Sequence, residues 1–276
     1  MKMTLNELRK RPHWSFSSLN SLLNICSLNW WFQKIEKLPP SHTSVNLVAG
    51  SVYHRTLDQV FLARKLEMPL TLDEALELYT QDWRAASKED PPIKYGKLDA
   101  AGVEEQGRGL IKVAWNNIDP SEKVLEVSEA FCVPISHEGR FLSKPLIGEF
   151  DLVVEKAGAP IVVDWKTSAT RWPKAKADKS AQALAYSYAY DLIHNTNPVV
   201  RFDIAVKNKT PIFESHSTSR TREDWNLLGA LAAKADQIVE QELFYPSLDS
   251  FACNDCPFAG ACKSWCNGEY SIAQAA

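Results

Sequence analysis

Over residues 1–119 the apolar positions recur at the three-to-four spacing of helices. Leu19, Leu22, Leu23, Cys26 and Trp30 make one stripe, with Ser17 or Ser18 available to cap its start. Val52, Leu57, Val60 and Phe61 mark a second helix from near Gly50, and Thr71 with Glu74 forms a capping-box pattern ahead of a third. A fourth spans about Lys97 to Asn116, weakened by Gly102, Gly107 and Gly109. The period then changes. Residues 123–135, 147–155 and 160–166 are apolar runs bounded by turn residues, which predicts strands. A helix over 179–195, strands near 200–207 and 211–216, and a long helix from Thr221 to about Leu243 follow. The pattern predicts an α/β protein: a mainly helical portion, 1–119, a mixed core, 120–243, and a cysteine-rich tail, 244–276.

Composition narrows the function more than the fold. The chain of 276 residues is 45% hydrophobic and 24% charged, an ordinary globular balance. No apolar run reaches the ~18 residues that cross a bilayer. The opening MKMTLNELRKRPHW lacks a signal-peptide core, so no membrane association and a cytoplasmic location are expected. A net charge of −3 supplies no global field for a polyanion, which disfavours a protein that coats nucleic acid. An enzyme needs only a local basic strip. Lys166, Arg171, Lys174, Lys176 and Lys179 lie within fourteen residues, although on charge alone they read as a solvated loop and helix start.

Asp151 and Asp164 lie on two strand-like runs separated by KAGAP. A hairpin centred between Ala157 and Gly158 pairs residues whose numbers sum to 315, which sets the two aspartates opposite each other. Their Cβ atoms would then be about 5 Å apart. Lys166, two residues beyond Asp164, shares its face. Facing carboxylates beside a lysine suit a hard divalent cation and an anionic substrate. The tripeptide Asp164-Trp165-Lys166 also closes an apolar run, IVVDWK, where burying unpartnered charge is costly. By residue type alone, His54 reads as a core or surface histidine, and Gln182 and Tyr186 as edge residues of an alanine-rich helix.

Taken together, the segments GEFDLVV and IVVDWKTS resemble the G-x-x-D…D-x-K core of the RecB-type branch of the PD-(D/E)XK nucleases. QALAY, from Gln182 to Tyr186, resembles their Q-x-x-x-Y motif, and AGSVYHRTL their G-x-x-x-H segment. SFSSLNSLLNICSLNWWFQKI is similar to their opening helix, and FYPSLDSFACNDCPFAGAC to the closing segment of the iron–sulfur members, among them the AddB nuclease domain and the CRISPR adaptation nucleases. The motifs run in order from about residue 14 to 266. This resemblance implies a restriction-endonuclease-like core, a mixed sheet flanked by helices, and a DNA nuclease, most simply an exonuclease on single strands or DNA ends. Asp151 and Asp164 would bind catalytic Mg2+ or Mn2+, with His54 and the Trp165 carbonyl as further ligands. Lys166 would orient the attacking water, Glu129 would be the acidic residue of the preceding strand, and Gln182 and Tyr186 would support the site. Phe150 stands where other branches place a proline. A degenerate binding module and an RNA-directed nuclease are the competing readings.

The tail carries Cys253-x2-Cys256-x5-Cys262-x3-Cys266, a metal-binding density of thiols in a chain without a secretory signature. In one reading Cys253, Cys256 and Cys262 join Cys26 around a [4Fe–4S] cluster, closing the tail on the N-terminal helix. In the other the four tail cysteines hold one Zn2+, and Cys26 is a buried apolar residue. The position of Cys26 in the family-like helix favours the cluster. Cys132, in a strand, reads as core. The chain has no G-x-x-x-x-G-K-[ST] loop, so an unwinding motor, or a recombination or adaptation partner, would be a separate protein of DNA repair or a related pathway.

Overall fold

Helix formation in the first part of the chain follows local capping chemistry. The computed structural model describes residues 3–88 and 91–270; the parts of the predicted helical portion and tail on residues 1–2, 89–90 and 271–276 lie outside them. Helix α1 (Phe16–Asn20) is capped by Ser15, not by Ser17 or Ser18: the Ser18 N–H donates to Ser15 Oγ at 3.2 Å. The apolar stripe does not continue as one helix. A π-helical turn, Ser21–Ile25, widens the coil, and Cys26 breaks it with extended dihedrals of −168° and 115°. Cys26 then caps α2 (Ser27–Lys34), its sulfur accepting the Asn29 N–H at 3.4 Å.

Helix α3 (Val45–Lys65) starts before the expected Gly50 and buries Val52, Leu57, Val60 and Phe61 as its spacing requires. Thr71 and Glu74 cap α4 (Leu72–Ala86) reciprocally, as their spacing predicts. In α5 (Ala100–Trp115) Gly107 has a packing reason: a Cβ there would sit 1.8 Å from the Tyr79 hydroxyl.

Five strands stand in chain order across the main sheet: β1 (Lys123–Val133), β2 (Leu146–Lys156), β3 (Ala159–Ser168), β4 (Val199–Val206) and β5 (Ile212–Thr218). Neighbours are antiparallel except β3 and β4. That parallel pair needs a crossover, which α6 (Ala181–His194) supplies. Helix α7 (Trp225–Glu240) begins four residues after the expected Thr221, which instead exchanges backbone N–H bonds with Asp224 just ahead of it.

The sheet has a core on each face. Val52, Phe61, Trp83 and Ile111 pack with Leu152, Val163 and Trp165 on one side; Tyr186, Tyr190 and Leu228 pack with Phe131, Phe150 and Phe202 on the other. This is the mixed sheet flanked by helices that the sequence predicts. A separate small cluster, Leu28, Phe32 and Phe258, ties α2 to the tail. Cys132 corrects one expectation: it is exposed on β1, between buried Phe131 and Val133. Among the described residues no helix is long and apolar enough to cross a membrane.

Candidate active site

The β2–β3 hairpin turns through Ala157 and Gly158, whose φ values of +51° and +79° match the primed turns that follow strand twist. Its register pairs Leu152 with Val163 and Val153 with Val162, the 315 sum anticipated from sequence. The ladder ends there, and Asp151 and Asp164 take the next positions. Phe150 belongs to one core and Leu152 to the other, so strand alternation slips at Asp151. On β1 the matching slip falls at Ser128, whose φ is +48°: Val127 packs in one core and Phe131 in the other. The paired slips leave Asp151 between the two cores rather than inside either.

Here groups from distant segments meet. Asp151 Oδ2 accepts the Trp165 N–H at 2.9 Å and lies 3.4 Å from His54 Nδ1. Asp164, 1% exposed, is ion-paired to Lys166 Nζ at 2.6 Å. Its other oxygen accepts from Gln182 Nε2 at 2.5 Å and from the Tyr186 hydroxyl at 3.2 Å. Gln182 and Tyr186, one turn apart on α6, also bond each other at 3.0 Å. Trp165 buries its indole against Phe61 and beside His54. On the opposite face Gly148 makes room for the Phe131 ring, which packs on Phe150 and Tyr186: a Cβ there would lie 2.4 Å from that ring.

The charges are strongly coupled. Burial disfavours the His54 imidazolium, but Asp151 and then Asp164 outweigh it and hold the ring above its usual pKa. Burial raises Asp164, opposed by Lys166 and reinforced by Asp151. Two further carboxylates belong to this neighbourhood. Asp58, one turn beyond His54 on α3, accepts from Ser128 Oγ at 2.6 Å and is raised by burial. Glu149 is pushed up to about 7 by burial and then by Asp58 and Asp151. Sequence reasoning missed both, although His54-x3-Asp58 and Glu149-x-Asp151 are the helix and strand same-face spacings. Glu129, on β1, lies opposite Phe150, next to Asp151 in register, and its charge bears on Tyr190. A pocket of about 220 Å³ beside the cluster is lined by Arg9, Ser15, Phe16, Glu149, Asp151 and Gln182, among others.

Far along the sequence, five thiols share a second cavity. Cys26, Cys253, Cys256, Cys262 and Cys266 line about 340 Å³ together with apolar Leu28, Phe32 and Phe258. All six cysteines are free. Asn29 donates its side-chain N–H to Cys256 Sγ at 3.3 Å while its backbone N–H serves Cys26. Burial, followed by the neighbouring Cys266, Cys26 and Cys256, pushes the Cys262 thiol up to about 11. Among the described residues no three His, Cys, Asp or Glu side chains converge into a ready-made metal cage.

A model of the PD-(D/E)XK nuclease superfamily matches residues 13–263. Among solved structures, the chain is similar to a protein called SSO0001, with 10% identity and a TM-score of 0.47, covering 94% of this chain and 92% of that one. It is also similar to a provisionally assigned exonuclease from Eubacterium rectale, with 12% identity and a TM-score of 0.47, covering 98% and 89%. No match is found among curated proteins.

Proposed function

The chain belongs to the PD-(D/E)XK nuclease superfamily, and from that footing we propose that it is a metal-dependent deoxyribonuclease acting as an exonuclease on single strands or DNA ends. The observation that carries this reading is the meeting of His54, Asp151, Asp164 and Lys166 around the end of one hairpin. Mg2+ or Mn2+ fits the donor set, since both ions take carboxylate oxygen and Mn2+ also accepts imidazole. A dication would also relieve the like-charge repulsion that contributes to holding Glu149 near 7. Asp151, Asp164 and His54 would hold it, with the Trp165 carbonyl as a further oxygen. Bound there, the ion would supply Lewis acidity toward water and the scissile phosphate.

The chain's own residues do the rest. Lys166, anchored on Asp164, orients the attacking water and stabilises charge as it builds on the phosphate oxygens. Gln182 and Tyr186 fix Asp164 in one orientation, and the Trp165 N–H does the same for Asp151. Glu129 is the acidic residue of the preceding strand, and Asp58 and Glu149 add two further carboxylates beside the site.

The same reading places a [4Fe–4S] cluster in the tail cavity on Cys26, Cys253, Cys256 and Cys262, with Zn2+ on Cys253, Cys256, Cys262 and Cys266 as the alternative. Thiols spread around an apolar cavity of about 340 Å³ suit a multi-iron group better than one ion held at a point. The three-part division at residues 119 and 243 belongs to this proposal, as does a separate helicase, recombination or adaptation protein that supplies unwound DNA.

The test is a cleavage assay on end-labelled single-stranded DNA, duplex DNA and RNA, with Mn2+, Mg2+ or EDTA. Stepwise shortening of single-stranded DNA that needs the metal is expected. Binding without cleavage in either metal would make the protein a binding module, and cleavage of RNA alone would reassign its substrate.

A further inference from the structure

Next to the catalytic pocket lies a larger groove of about 510 Å³, lined by Phe16, Asn20, Asn24, Trp172, Lys176 and Lys179 among others. The two adjoin. Phe16 lines both, and Ser180 and Ala181 of the groove are followed directly by Gln182 of the pocket. From Phe16 to Asn24 the coil rises about 12 Å, the length of roughly three stacked nucleotides.

We propose that this groove is a single-strand track: it holds the unpaired nucleic acid chain that leads into the catalytic pocket. The inference rests on the nuclease reading for what the track feeds, but its own basis is separate. The cations are exposed and placed. Lys176 stands 4.1 Å over the Trp172 ring, which is itself held against Phe202, so its ammonium is positioned by packing. Lys179 is exposed, and among the described residues neither lysine is ion-paired. The acidic neighbour Asp178 is engaged by the Thr218 hydroxyl at 2.9 Å. Asn24 donates to Asn20 at 3.1 Å, and both amides line the groove with the lysines. Phe16, half-buried at the junction, offers an aromatic face where a base would leave the groove for the pocket.

A basic wall, amide donors and an aromatic platform are what sequence-tolerant single-strand sites combine. The alternative occupant is a duplex, which brings a second backbone and a paired base column, and the experiment below separates the two. Two of the five cations that read as an ordinary solvated face in the sequence, Lys176 and Lys179, thereby acquire a ligand.

The test uses the full chain in EDTA, so that binding is read without cleavage. Anisotropy of fluorescein-labelled oligothymidylates of increasing length should show affinity rising over the first few nucleotides. A hairpin duplex of equal charge should bind more weakly. Replacing both lysines, Lys176→Ala with Lys179→Ala, should weaken single-strand binding by roughly tenfold or more at about 0.1 M salt and flatten the salt dependence by about 1.4 in slope. Phe16→Leu should weaken it further without changing that slope. With Mn2+, hydrolysis of bis(p-nitrophenyl) phosphate, which occupies only the catalytic pocket, should be unchanged in the double lysine variant. Unaltered oligothymidylate affinity and salt slope in that variant, or a preference for duplex, would overturn the track. Failure of the wild type to hydrolyse the small diester in any metal would instead count against the nuclease reading, and anisotropy would still decide the track.

Discussion

At the end of the hairpin each side chain of chemical interest leans on a packed neighbour: Asp164 on half-buried Gln182 and buried Tyr186, Asp151 on the Trp165 backbone, His54 on the Trp165 ring. Around the cysteine cavity the support is thin. Leu28, Phe32 and Phe258 form its fully buried packing, while Leu248 and Phe251 stand 77% and 80% exposed. The chain there is held by hydrogen bonds between segments, such as Leu28 N–H to the Tyr245 carbonyl and Ser41 to Pro257. Side-chain geometry set by a two-faced core survives the loss of any one ligand. Geometry set by a few apolar contacts needs ligation to complete it, because metal binding there is part of the folding free energy.

The largest effect expected from this contrast is catalytic loss without structural loss. Asp151→Ala, Asp164→Ala or Lys166→Ala should each lower cleavage by roughly a hundredfold to a thousandfold or more, with circular dichroism unchanged. A folded Lys166→Ala protein as fast as wild type would remove the mechanism. At the other region the expectation is reversed, structure failing with the metal. Anaerobically purified wild type should be brown, with about four irons and four sulfides per chain. Cys26→Ser should bleach it and lower solubility, whereas Cys266→Ser should do little. Colourless protein carrying zinc that survives Cys26→Ser but not Cys266→Ser would establish the zinc alternative.

A further substitution probes the sheet core alone. Arg201, on β4, bridges Glu122 at 2.5 Å and Asp203 at 2.9 Å. Arg201→Met would leave two buried carboxylates uncompensated and should cost about 3–5 kcal/mol in urea unfolding, with iron content per folded chain unaltered. The smallest effect is expected at His54. His54→Ala should raise the Mn2+ concentration for half-maximal cleavage by roughly tenfold. An unchanged metal titration would return His54 to a packing role.

What the sequence disclosed and what it hid follow the range of the forces involved. The hairpin register was legible because a two-residue turn fixes every pair beyond it, and the Thr71 box because its partners are three residues apart. Asp58 and Glu149 were not legible as site residues. Their place depends on α3 docking under the sheet and on the slip at Ser128, a serine at positive φ that its residue type does not announce. Cys26 misled in a similar way. Its apolar spacing fits a continuous helix, yet it serves as a break and a cap, and its sulfur is turned to a cavity whose other wall comes from the opposite end of the chain.

That last arrangement has a consequence in time. Asn29 and Cys256, which meet at 3.3 Å, are 227 residues apart. At translation rates of about 5–20 residues per second, roughly ten to forty-five seconds separate their synthesis. Through that interval Cys26 waits on the nascent chain with one wall of its cavity unmade, while the helices and the first strands of the sheet can already fold. Whatever the cavity encloses is therefore enclosed late, and an exposed early thiol is open to oxidation or to a delivery protein for as long as the ribosome takes to reach Cys253.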